Sequence, residues 1–298
     1  MTQKTESTNN KNNESKLNLK NDILFKAFFS RKGNEKFLID FLSSILKIEI
    51  REIHIQEEVN LEQLSTREKG GRLDIQATLN DGMIVNVEMQ VEDKKNIEKR
   101  NDVYETKTIS RHFQRGKNYQ EAKEVVAIYI LDYNLFGFDE YILDTVKVLS
   151  NHRDYQVNSI MKEYYIQLPK FREEKRDMNN KLNQWLALID NTDKEEIEMA
   201  KAKNDVIKEA EVEISYFTAS EEAQYLADMR DLWESDVNSR LYDAKEERNR
   251  RTEKRNGRKE GEKNKQVEIA KKMIERGKDI KEIMELTELS EEEIKRLE

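Results

Sequence analysis

Arg72-Leu73-Asp74-Ile75-Gln76-Ala77-Thr78-Leu79, Asn80-Asp81-Gly82, Met83-Ile84-Val85-Asn86-Val87-Glu88-Met89-Gln90-Val91 is the stretch from which the fold is read, because both halves alternate with period two around a turn signal. Such alternation predicts a β-hairpin. A three-residue loop, Asn80-Asp81-Gly82, with Gly82 left-handed after a type I turn, sets Leu79 opposite Met83 and fixes each pair behind it. Ala77 then faces Val85, Ile75 faces Val87 and Leu73 faces Met89. All four pairs are apolar, and a slip of one residue would turn half of them to water. The other face sets Thr78 against Ile84, Gln76 against Asn86, Arg72 against Gln90, and Asp74 against Glu88.

Two carboxylates on directly opposed strand positions sit roughly 5 Å apart at Cβ and repel each other. A divalent cation would offset that repulsion. Carboxylates with a main-chain carbonyl and water are hard ligands suited to Mg²⁺ or Mn²⁺, and the site lacks the imidazole or thiolate that zinc favours. The hairpin pattern alone is also that of a solvated polar face whose acids splay apart.

Leu73-Asp74, the hairpin and Val87-Glu88-Met89-Gln90 resemble the core of the PD-(D/E)XK nuclease superfamily and, within it, the recombination-promoting nuclease and transposase family. That family's Asp and Glu-x-Gln fall on Asp74, Glu88 and Gln90. Flanking segments fit the same pattern: Asn21-Asp22-Ile23-Leu24-Phe25-Lys26, then Arg100 and Tyr104, Gly116 with Tyr119, Leu168-Pro169-Lys170-Phe171, and Trp185. The similarity runs from about Leu17 to Ile189. The superfamily's commoner signature has lysine at the position of Gln90; glutamine is the family's own residue there, which leaves a cation to be supplied from elsewhere.

The resemblance implies an α/β, restriction-endonuclease-like core with a mixed β-sheet flanked by helices, and metal-dependent hydrolysis of a DNA phosphodiester. Asp74, Glu88 and the backbone carbonyl of Met89 would hold Mg²⁺ or Mn²⁺. Gln90 can neither act as a base nor carry charge, so it would orient water or phosphate. Lys26 or Arg100 would supply the missing positive charge, with Asp22 and Arg72 as accessory candidates.

The remainder of the chain sets limits on this reading. Its 298 residues are 36% hydrophobic and 38% charged, so much of the charge must lie on exposed helices. A net charge of −8 gives no global pull toward nucleic acid, and any DNA surface must be local. There is no cysteine, and the three histidines, His54, His112 and His152, show no zinc spacing. With no long apolar run and no signal-peptide core, a soluble cytoplasmic protein without membrane contact is expected.

Residues 1 to 16 lack an apolar period and are expected to be a disordered tail before a nuclease-like domain over 17–190. A short helix from Asn21 carries Leu24, Phe25 and Phe28 inward, with Asp22 and Lys26 four apart, a spacing that also suits a surface ion pair. Asn34 is placed to cap a second helix through Phe37, Phe41 and Ile45, and Ile48 to Ile55 read as a strand. After the hairpin a helix is expected over about Ile97–Tyr119, with Arg100, Tyr104, Lys107, Arg111 and Arg115 in one stripe. Nine Lys or Arg against four Asp or Glu between Lys94 and Lys123 suit a phosphate backbone, although a solvated helix face gives the same pattern. Val125–Leu131 reads as a central strand, with further strands over Asp139–Leu149 and Ser159–Leu168.

Helix signals dominate from Lys181, with Leu182, Trp185, Leu186 and Ile189 on one face. A helical arm over 191–256 includes a helix from Glu221 to about Arg255 anchored by Tyr225, Met229, Leu232 and Trp233, and basic Lys245–Lys265, with Gly257 and Gly261, reads as a flexible linker. A small tail over 257–298 has Gly277 as a helix stop and Ser290 capping a last helix. It resembles a helix-turn-helix unit. Because Glu291, Glu292 and Glu293 open its third helix, interaction or regulation is expected of it more than groove reading, and the arm or tail offers a route to a homo-oligomer. The rival to a nuclease is a non-catalytic oligomeric interaction protein on the same scaffold. It has no need for two opposed carboxylates.

Overall fold

The computed structural model describes residues 17–56, 74–80, 82–93, 95–113 and 118–297, the side chain of Asp74 excepted. Arg72, Leu73, Arg115, Gly116, and the expected tail over 1–16 lie outside the described residues. The chain divides into two units, 1–230 and 231–298.

The first unit is built on a six-stranded mixed sheet of order β1-β2-β3-β4-β8-β5. Its strands are β1 (Ile53–Ile55), β2 (Asp74–Leu79), β3 (Met83–Gln90), β4 (Val125–Leu131), β5 (Ile142–Asp144) and β8 (Met161–Gln167). The β2–β3 hairpin pairs Leu79 with Met83, Ala77 with Val85, Ile75 with Val87 and Asp74 with Glu88, the register expected from the alternation. The turn is not of type I: Asn80 has φ 38°, because its side chain accepts from the amides of Arg51 and Glu52 and donates to the Glu49 carbonyl. Gly82, at φ 101°, takes the left-handed position. β3 and β4 run parallel, as do β4 and β8, and β4 is buried along its whole length.

The apolar face of the sheet carries the core. Helices α1 (Asp22–Phe29), α2 (Glu35–Leu46), α5 (Lys181–Asp190), α6 (Lys194–Lys203) and α7 (Asp205–Thr218) contribute to it. Its aromatic centre stacks Phe29 on Phe41 and sets both rings within 6 Å of Trp185. Asn21 caps α1 by accepting from the amides of Ile23 and Leu24. Asn34 precedes α2 but makes no side-chain cap, since its amide donates to the Phe28 carbonyl.

The opposite face is covered by α3 (Ile97–His112), which ends before Tyr119; a short 3₁₀ turn spans Tyr119–Glu121. The expected strand at Asp139–Leu149 is divided between β5 and a separate hairpin of β6 (Val148–Leu149) with β7 (His152–Gln156). Leu168 belongs to helix α4 (Leu168–Glu173), started by Pro169 in its first turn.

Helix α8 (Glu221–Glu275) begins in the first unit. Ala223, Leu226 and Ala227 are its anchors there; of the expected anchors Tyr225 and Leu232 are exposed, while Met229 and Trp233 are half-buried. The helix continues through Gly257 and Gly261, where a linker was expected. In the second unit the end of α8, α9 (Ile280–Thr287) and α10 (Glu291–Lys295) enclose Ala270, Ile283, Leu289 and Ile294. Gly277, at φ 70°, ends α8 as expected, and Ser290 with Glu293 forms the capping box of α10. Ile269 and Met284 face outward. No described helix is long and apolar enough to cross a membrane.

Candidate active site

The polar side of β3 is buried, and Gln76 and Thr78 opposite it on β2 are half-buried. Glu88 and Gln90 are only 7% and 9% exposed, because α3 turns Asn101, Glu105 and Thr108 inward over the sheet. This interface is held by polar contacts. Tyr129 donates to Oε1 of Glu105 at 2.7 Å, and Gln76 donates to Oδ1 of Asn86 at 3.0 Å.

Glu88 sits near the C-terminal end of β3, opposite Asp74 across the hairpin. Its Oε1 accepts from Nε2 of Gln90 at 2.8 Å and from the Arg100 guanidinium at 3.2 Å. A carboxylate taken out of water needs such donors. The Gln90 amide is held at both ends, since its Oε1 accepts from the Tyr133 hydroxyl at 3.0 Å. Burial, reinforced by the negative charge of Asp93, pushes the Tyr133 phenol up to about 12, so at neutral pH this hydroxyl remains a donor.

Tyr133 follows β4, and its loop is fixed on both sides. The Asp132 amide donates to the Gln90 carbonyl at 2.9 Å, and the Asp132 carboxylate pairs with Arg172. Oε1 of Gln167 accepts from the amides of Leu135 and Phe136. Arg172 also grips Asp190 through Nε and a terminal nitrogen. Tyr133, Asp132 and Arg172 were absent from the expected site. Asp132 and Tyr133 follow the C-terminal end of β4 and Arg172 that of β8, the edge where open α/β sheets hold their ligands, and that place is the signal that finds them.

The structure therefore joins Glu88, Gln90 and Arg100 directly. Lys26 is buried on α1, a helix packed against β2 and β3. Asp22 accepts from Nε of Arg230 at 2.8 Å. Met89 turns its side chain into the apolar core. On the outer side of α3, Tyr104 is half-buried, with the Lys107 ammonium 5.5 Å from its ring centre, and Lys107 and Arg111 are exposed.

Among the described residues no three His, Cys, Asp or Glu side chains converge on one point. The donor chemistry at Glu88 nevertheless fits a hard divalent cation: a buried carboxylate, an opposed Asp74 across the hairpin, main-chain carbonyls, and no thiol anywhere in the chain.

A family model for PD-(D/E)XK nuclease family transposases matches residues 19–244, and a second, for the C-terminal HTH domain of the Rpn/YhgA-like nuclease family, matches 263–298. No curated protein and no solved structure matches the chain. PD-(D/E)XK nucleases generally use divalent metals, and the HTH description suggests DNA as the ligand class. The first match spans the whole sheet, its helical cover and the Glu88–Gln90 strand, and the chain belongs to the PD-(D/E)XK nuclease family of transposases.

Proposed function

We propose that the chain is an endonuclease that hydrolyses a DNA phosphodiester with the help of Mg²⁺ or Mn²⁺. The observation that carries this reading is the buried Glu88 carboxylate, directly across the hairpin from Asp74 and tethered to Gln90 and Arg100. A scaffold used only for assembly has no reason to desolvate an acid opposite a second acid.

Asp74, Glu88 and the Met89 carbonyl would hold the cation, which would polarise the phosphate and lower the pKa of a bound water. Gln90 orients water or a phosphate oxygen by hydrogen bonding, in an amide orientation set by Tyr133. Arg100 places a guanidinium at Glu88, the role of the lysine in the superfamily's commoner signature. Lys26 is a second candidate for that charge, and Asp22 an accessory through Arg230. Tyr104, Lys107 and Arg111, with Arg115 beyond the described helix, would track the DNA backbone.

The test is plasmid cleavage with Mg²⁺, Mn²⁺ or chelator, comparing the parent with Asp74→Ala. Cleavage that needs the cation and is lost in Asp74→Ala supports the reading. Equal cleavage by both proteins would remove Asp74 from the site, and no cleavage under any condition would favour the non-catalytic scaffold.

A further inference from the structure

Between Lys245 and Lys265 helix α8 carries ten Lys or Arg against five Asp or Glu, in a chain whose net charge is −8. Every residue of this segment is exposed. A helix that is polar all round buries no apolar stripe against its own chain, so its charged side chains stay open to a ligand. The charges are partly sorted by side. At 3.6 residues per turn, Arg248, Arg251, Arg255, Arg258 and Lys259 fall within an arc of about 100°, with Glu262 inside the arc and Glu247 at its edge, whereas Glu246, Glu253 and Glu260, spaced by seven, lie opposite beside Arg250. Arg251 and Arg258 are paired four residues away with Glu247 and Glu262, and Arg248, Arg255 and Lys259 have no ion-pair partner among the described residues. Exposed pairs of this kind are weak and exchange readily for another anion.

We infer that this face of α8 is a second DNA-binding surface that holds the phosphate backbone of duplex DNA without reading its sequence. From Arg248 to Lys259 the helix rises about 16 Å, a length over which duplex DNA presents roughly ten phosphate charges. The side chains match that ligand. Four of the five are arginine, whose planar fork bonds phosphate oxygens in pairs; no aromatic side chain lies between Arg248 and Lys259 to stack on a base, and Asn249 and Asn256 fall outside the basic arc. The inference is independent of the proposed cleavage, since it requires DNA as a ligand and not its hydrolysis.

The experiment uses the full chain in chelator, so that binding is measured without cutting, with a labelled mixed-sequence duplex titrated over a range of salt. Changing Arg248, Arg255 and Lys259 together to Gln, a residue of similar helix propensity, should flatten the log-affinity against log-salt slope by about three. A charge-conserving variant, Arg248→Lys with Arg255→Lys, should retain the parental slope. So should Glu246→Gln with Glu253→Gln and Glu260→Gln on the opposite side. An unchanged slope in the first variant overturns the inference. It is equally overturned if the acidic-side variant shifts the slope as much, because net charge would then be the cause. A salt-dependent fall in mass by light scattering, without DNA and confined to the first variant, would assign the face to a second copy of the chain instead.

Discussion

The Tyr133 hydroxyl donates to Oε1 of Gln90 at 3.0 Å, and thereby decides which end of that amide faces Glu88. Without this donor the amide is free to turn its oxygen toward the Glu88 carboxylate, where two acceptors would meet. Tyr133→Phe should therefore lower the cleavage rate constant by about threefold to tenfold, the equivalent of one hydrogen bond, with DNA affinity unchanged. Single-turnover cleavage alongside equilibrium binding separates the two. A loss confined to affinity would show that Tyr133 contacts DNA and does not position Gln90.

The two acids should respond differently to neutralisation. Asp74→Asn and Glu88→Gln are both expected to abolish cleavage and divalent-ion binding, read by calorimetric titration with Mn²⁺. Relief of the cross-strand repulsion should make the cation-free Asp74→Asn protein more stable by a few tenths of a kcal/mol. Glu88→Gln gives up the charge-assisted bond from Arg100 and should be less stable by about 1 kcal/mol. Urea unfolding in chelator measures the difference, and equal shifts in both variants would mean that Arg100 is not coupled to Glu88.

Lys107 and Arg111 stand exposed on the outer side of α3, whereas Arg100 is occupied at Glu88. Replacing Lys107 and Arg111 together by Ala should weaken duplex binding and reduce the salt slope by about two, one for each phosphate contact. A parental slope would leave this stripe as a solvated helix face. The measurement is separate from the one on α8.

Which residues share a face was legible in the hairpin, because alternation fixes register wherever one side is apolar; the observed pairing of Ile75 with Val87 and Asp74 with Glu88 follows from it. Whether the polar side is covered was not. The helix that covers it turns Asn101, Glu105 and Thr108 inward, so it shows none of the apolar periodicity by which a buried helix is recognised. Tyr133 was missed for another reason. Its approach to Gln90 depends on the parallel pairing of β3 with β4, a contact 43 residues apart in sequence that no local pattern carries. At Gly257 and Gly261 glycine propensity suggested a linker, yet pairs such as Arg250 with Glu246 and Arg258 with Glu262 run along a continuous helix, and a Cβ at either glycine would meet nothing.

The loop that carries Tyr133 rests on Arg172, which joins Asp132 to the fully buried side chain of Asp190. Burial alone would raise the Asp190 carboxyl. Hydrogen bonds from Arg172 and Thr192, with the charges of Arg172 and Lys20, outweigh it and hold the group below its ordinary 3.8. A carboxyl depressed in the folded state contributes stability that is present above its unfolded pKa and is lost as the pH falls through the lower, folded value. Arg172→Met should therefore destabilise the protein by about 2 kcal/mol near neutral pH, less than the roughly 3 to 5 kcal/mol of a fully buried pair, because Lys20 and Thr192 remain at Asp190. The difference should shrink as the pH is lowered through the range where Asp190 takes up its proton first in the folded variant and then in the folded parent. Urea unfolding of parent and variant across that range tests this. A gap that stays constant with pH would mean that Arg172 contributes through packing alone, and that Asp190 carries no charge for it to hold.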